Sequence, residues 1–200
     1  MNRLFTSLLV FSFGAAMTVS SAAAQQDKNP NNTQMSSKES VATTTADTHF
    51  VKKAAEGGLA EVELGKLAEQ KAGNEQVKKF GERMVNDHSK ANEQLKDVAQ
   101  QEHIELPSHL SAKDQATKDR LEKLSGAEFD HAYMNDMVKD HRVDVAEFAH
   151  ESQSSKDPAV KNFARQTLPV LRQHLQIAEK LAPEQKTTAT NSGMKHTSGQ

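Results

Sequence analysis

The chain has 200 residues, with 25 Lys and Arg against 27 Asp and Glu, so bulk charge draws it neither to nucleic acid nor to an anionic membrane. It contains no cysteine, which excludes a disulfide scaffold, thiolate metal sites and thiol chemistry. One Tyr, no Trp, five Pro and nine Gly are too few turn and aromatic residues for a sandwich or barrel, so the composition points to helices.

Residues 1–24 read as an export signal. Arg3 gives a short positive start, Leu4 to Val19 an apolar stretch interrupted by Thr6, Ser7 and Ser12, and Ala22-Ala23-Ala24 a small-residue cleavage site. The run is too short and weak for a good spanning helix. Removal of Arg3 leaves a mature net charge of −3, and the expected location is exported, periplasmic or envelope-associated. Residues 25–46 are polar and expected to form a disordered linker, and 183–200, opening at Pro183, a disordered tail. That leaves 47–182 for one core.

The spacing predicts a first helix from Asp47 or Thr48 to about Lys71, with Val51, Ala54, Ala55, Gly58, Val62, Gly65 and Ala68 on one face. Gly73-Asn74 breaks it, and a second helix carries Val77, Phe80, Met84, His88, Ala91, Leu95 and Val98 as a single stripe. So short a link makes the two antiparallel neighbours. Ile104-Glu105-Leu106-Pro107 is expected to end the second helix. Ser111 to Leu124 reads as a short helix in the crossover, capped by Ser111 with Asp114 in its first turn.

A third long helix is expected from Ser125, with Glu128 completing a capping box and Phe129, Tyr133, Met137, His141, Val145 and Phe148 as its stripe. Asp157-Pro158 starts the last helix, where Val160, Phe163, Ala164, Thr167, Leu171, Leu175, Ala178 and Leu181 face inward and Pro169 is expected to kink the rod or open its ladder. A shift of 83 positions lays Gln70, Val77, Lys78 and Phe80 onto Gln153, Val160, Lys161 and Phe163, Val62 onto Val145, and the turn at Asn74 onto that at Asp157. Two helical hairpins joined by a long crossover give the expected fold class: all-α, a ferritin-like antiparallel four-helix bundle with a short helix in its crossover.

Gly57-Gly58-Leu59-Ala60-Glu61-Val62-Glu63-Leu64-Gly65, Met84-Val85-Asn86-Asp87-His88, Met137-Val138-Lys139-Asp140-His141 and Leu168-Pro169 followed by Gln173-His174-Leu175 together carry a resemblance over 49–182. The chain resembles a bacterial family of exported ferritin-like domains of unknown function, often labelled outer-membrane or periplasmic proteins. The resemblance implies a ferritin-like four-helix fold and no established reaction. The residues give the outer-membrane label no support, lacking alternating strands of about ten residues with aromatic girdles.

Histidines are the candidate chemistry. His49, His103, His109 and His196 lie at element ends or in loops, and His131 and His150 fall off the stripe of their helix. His88 and His141 lie on apolar stripes, each directly after an aspartate, and His174 at a stripe edge. Counting ~1.5 Å per helical residue, Glu61, His88, His141 and His174 all fall about 19–26 Å from their hairpin turns, near mid-bundle. Gly57, Gly58 and Gly65 are expected to leave room opposite for the rings.

Three readings fit this tier. The first is a buried polar layer whose members hydrogen-bond one another and fix register, in a non-catalytic binding or stress-related envelope protein. The second is a mononuclear site with Glu61, His88, His141 and His174 as ligands to zinc, iron, copper or manganese, and Asp87 or Asp140 bracing the rings. The third is a catalytic acid–base site. A bridging di-iron centre is disfavoured, because Val85, Val138 and Leu171 stand where glutamates three residues before each histidine are needed. The sequence requires no cofactor and assigns no catalytic residue. Ser89 points away from His88, no phosphate loop is present, Lys52-Lys53 and Lys78-Lys79 read as solvated faces, and Met84, Met134 and Met137 as core filler. Partners are unassigned, with no nucleic acid among them, no membrane span after signal cleavage, and homo-oligomerisation left open.

Overall fold

Thr44 opens the first helix by a reciprocal pair of bonds: its hydroxyl accepts from the Asp47 amide, and the Asp47 carboxylate accepts from the Thr44 amide. The computed structural model describes residues 43–182. Five helices lie within it, α1 (Thr45–Lys71), α2 (Glu75–Gln101), α3 (Ala112–Glu122), α4 (Gly126–Ser154) and α5 (Pro158–Leu181), and no strand occurs among the described residues. The expected signal (1–24), most of the linker and the tail (183–200) lie outside them. Asp47 is thus the third residue of its helix and Thr44 the cap, because the hydroxyl three residues upstream completes the box.

Two other expectations need correction. The second helix ends at Gln101 rather than near Pro107, because His103 adopts φ 54° and lets the Ile104 amide donate back to the Ala99 carbonyl at 2.8 Å. Ser125 caps α4 by position, but its side chain makes no capping bond. Gly126 follows it at φ 57°, a left-handed conformation that glycine tolerates. The α1–α2 turn is held from outside instead: the Asp130 carboxylate on α4 accepts from the Gly73 and Asn74 amides at 3.0 and 2.9 Å.

The long helices form two hairpins. Leu64, Leu67 and Ala68 at the end of α1 meet Val77, Phe80 and Met84 at the start of α2, so the pair is antiparallel. α4 and α5 pair likewise, and α2 lies on α5 and α1 on α4, with α3 against α1. Asn74 and Asp157, 83 positions apart, both cap helix starts with their side chains. α5 runs through Pro169 without interruption. Gly65 and Gly81 set the spacing of the first hairpin: a Cβ on Gly65 would lie 2.8 Å from the Gly81 carbonyl oxygen. Gly58 faces Asn92 and Gly57 faces nothing, so these glycines serve helix approach or open surface rather than making room for imidazoles.

Apolar side chains collect in two clusters. One contains Leu64, Phe80, Met84, Phe129, Tyr133, Met137 and Ala178; the other Phe50, Val51, Leu95, Phe148, Phe163 and Leu171. On every long helix the division falls at one polar residue: Glu61 on α1, His88 on α2, His141 on α4 and His174 on α5.

Candidate metal centre

The four tier residues are buried, Glu61 at 4 % exposure, His88 at 7 %, and His141 and His174 at 0 %. His88 and His141 lie on the stripes that helical periodicity directs inward, whereas Glu61 is buried where Val62 is expected and Val62 is only half-buried. His174, read as a stripe edge, is fully inside, and Leu175 is only half-buried. His49, His103, His109, His131 and His150 are all exposed.

The three imidazoles form a triangle, with ring centroids 5.8 Å apart for His88–His141, 5.3 Å for His88–His174 and 5.4 Å for His141–His174. One ring nitrogen from each lies within 4.8 Å of the other two. No hydrogen bond joins any two of them. His141 Nδ1 lies 3.0 Å from the Met137 carbonyl oxygen, which can only accept, so that nitrogen carries the proton and Nε2 keeps its lone pair. His174 Nε2 lies 2.8 Å from Asp87 Oδ2 and donates to it, leaving Nδ1 free. His88 Nε2, His141 Nε2 and His174 Nδ1 are all buried without a partner.

Electrostatics keep the rings neutral. Burial pushes His88 well below the ordinary imidazole value, helped by the neighbouring rings, and takes His141 to about 3. Burial also lowers His174, outweighing the pull of Asp87 in the other direction. For Asp87, burial is outweighed by hydrogen bonds from His174 and Arg83, which hold it below the usual carboxylate range. Arg83 Nε sits 3.1 Å from Asp87 and its guanidinium also donates to Gln173 Oε1 at 2.6 Å, so the chain Arg83–Asp87–His174 orients one ring from the surface inward.

Glu61 does not join the three rings. It lies on the other side of His141, with Oε1 3.8 Å from Nδ1 and Oε2 buried without a partner, and groups with His141 and Asp144. Asp140 braces no ring: it is half-buried on the wall of a cavity of about 350 Å³ that also meets Glu61, His88 and Asp144. Burial raises Glu61 well above its ordinary value, reinforced by Asp144 and Asp140, and takes Asp144 to about 7. Asp144 was not among the residues singled out from sequence, although the 83-residue shift that matches Val62 with Val145 matches Glu61 with Asp144. A smaller space of about 290 Å³ between α2 and α5 touches Asp87, His88, Thr167 and His174.

Residues 32–181 match DUF4142, a domain of unknown function, and the chain belongs to that family. No curated protein matches the chain. Among solved structures it is similar to a DUF305 fragment from Deinococcus radiodurans, with TM-score 0.61 and 14 % identity over 70 % of this chain and 96 % of that one. It is also similar to a DUF305 protein from Streptomyces coelicolor named as a presumed secreted protein, with TM-score 0.57 and 15 % identity over 68 % and 91 %. At these identities the likeness shows the fold alone. No helix among the described residues is long and apolar enough to cross a membrane.

Proposed function

We propose that this is an exported metal-binding protein of the bacterial envelope, a ferritin-like four-helix bundle holding one transition-metal ion at His88, His141 and His174. The observation that carries the reading is the state of the three rings: each offers a nitrogen within 4.8 Å of the other two, and each has a buried nitrogen without a partner. A structural layer would join the tier by hydrogen bonds, since each orphaned buried group costs ~1–3 kcal/mol. The bonds present run outward instead, from His141 to Met137 and from His174 to Asp87, as ligand histidines are oriented by partners on their far nitrogens. Neutral imidazole is the binding form, and three nitrogens suit zinc, copper or iron better than manganese. Three protein ligands leave a position for water or a small ligand. Glu61, on the far side of His141, is outside this ligand set.

The bundle architecture is supported by the paired hairpins and the equivalent caps at Asn74 and Asp157. Export is supported by the Arg3-to-Ala24 pattern and accords with the presumed secretion of one structural neighbour. Elemental analysis of protein prepared without an affinity tag tests the site. One equivalent of metal per chain is expected, lost in His88→Ala and in His174→Ala with helical content retained. Metal-free protein whose melting is unmoved by added zinc or copper would return the tier to a structural role.

A further inference from the structure

Glu61 presents a second buried group without a partner. Its Oε2 has none, its exposure is 4 %, and it opens onto the cavity shared with Asp140 and Asp144. Oxygen atoms of Glu61 and Asp144 and a nitrogen of His141 lie within 4.8 Å of one another. Among the described residues no lysine or arginine is in ion-pair contact with Glu61, Asp140 or Asp144. Of the lysines at the cavity, Lys53 pairs with Glu147, and Lys113 and Lys139 are exposed. Duplication explains how the acids meet. Glu61 and Asp144 occupy the same position of the two hairpins, and α1 lies on α4, so their side chains converge where the repeats face each other.

We infer a second cation seat on this side of His141, with Glu61 and Asp144 as carboxylate ligands, Asp140 on the cavity wall and water completing the shell. Its chemistry differs from that of the three rings. Carboxylate and water select a hard divalent ion, Mn²⁺ or Mg²⁺, where imidazole selects zinc or copper. The cavity of about 350 Å³ accommodates the retained waters that such ions keep. The protein would then hold two unlike metals on either side of one imidazole, the seat resting on Glu61 and Asp144 rather than on the metal at the rings.

Manganese titration of the zinc-loaded chain, followed by the loss of the free Mn²⁺ electron paramagnetic resonance signal, tests this. One further equivalent of Mn²⁺ is expected, weakened at least tenfold by Glu61→Gln and again by Asp144→Asn, with the zinc equivalent unchanged. His174→Ala should lose zinc and keep Mn²⁺, which separates this seat from the three rings. If the wild-type chain takes no zinc, the same titration on metal-free protein reads the carboxylates alone. No Mn²⁺ binding, or binding indifferent to Glu61→Gln in a variant with wild-type circular dichroism, overturns the inference.

Discussion

His141 divides two surroundings that differ in the sign of what burial does. On one face, His88 and His174 are neutral bases, each with a buried nitrogen that has no partner, and burial keeps their protons off. On the other, Glu61 and Asp144 are acids whose negative charge burial resists, so they hold protons that free carboxylates would have lost. Both faces carry buried polar atoms without a partner. The polar tier thus has two sides with opposite pH behaviour, joined at a ring whose own proton is tied to Met137.

The largest effect expected is at the shared ring. His141→Ala leaves a cavity between two close-packed clusters and should destabilise the protein by ~3 kcal/mol or more, with loss of the bound metal, by denaturant melting and elemental analysis. His141→Leu fills that volume with apolar atoms and should recover most of the stability but none of the metal. Equal collapse in both variants would show that the ring contributes something besides volume and ligation.

The two faces should then separate by pH in metal-free protein. Asp144 is raised to about 7 from 3.8, so the folded state binds its proton first and stability falls as pH rises across that window. Asp144→Asn removes the burden and should stabilise the metal-free chain at pH 8 by about 2–4 kcal/mol, with little effect near pH 4. The histidines run the other way. Their folded values lie below 6.5, so the unfolded chain protonates first and stability is lost as pH falls below 6.5, for His141 down to about 3. Wild-type and Asp144→Asn melting curves between pH 4 and 8 read both trends, and parallel curves would contradict the assignment.

Smaller effects test the supports. Gly65→Ala should cost about 1–3 kcal/mol, because the new methyl falls 2.8 Å from the Gly81 carbonyl and 2.9 Å from Val85 Cγ2. Asp87→Asn should leave the fold intact and weaken zinc binding about 10- to 100-fold, since the His174 ring loses its anionic acceptor. An unchanged zinc affinity in that variant would remove Asp87 from the site.

How much of this could be read beforehand follows from what each feature depends on. Helix stripes report burial directly, so Phe80, Met84, Met137 and Leu171 were legible, as was the depth shared by the three histidines. The helix start at Asp157 was legible because a side-chain cap acts within three residues, and the break at Asn74 marked the other start. Asp130 holding the α1–α2 turn was not, because that bond joins residues 56 and 57 positions apart. At Ser125 the residue types fit a capping box, but the side chain makes no capping bond. Glu61 shares the expected level but groups with His141 and Asp144 rather than with all three rings, since residue counting gives depth along a helix and not the direction of a side chain. Asp144 could have been found by extending the repeat alignment through the acid positions.

Anomalous diffraction from crystals of the zinc-loaded protein is the sharpest test of the three-histidine site. One strong peak is expected about 2.0–2.1 Å from His88 Nε2, His141 Nε2 and His174 Nδ1. A tier free of anomalous density, with the three rings turned to hydrogen-bond one another or Glu61, would contradict it.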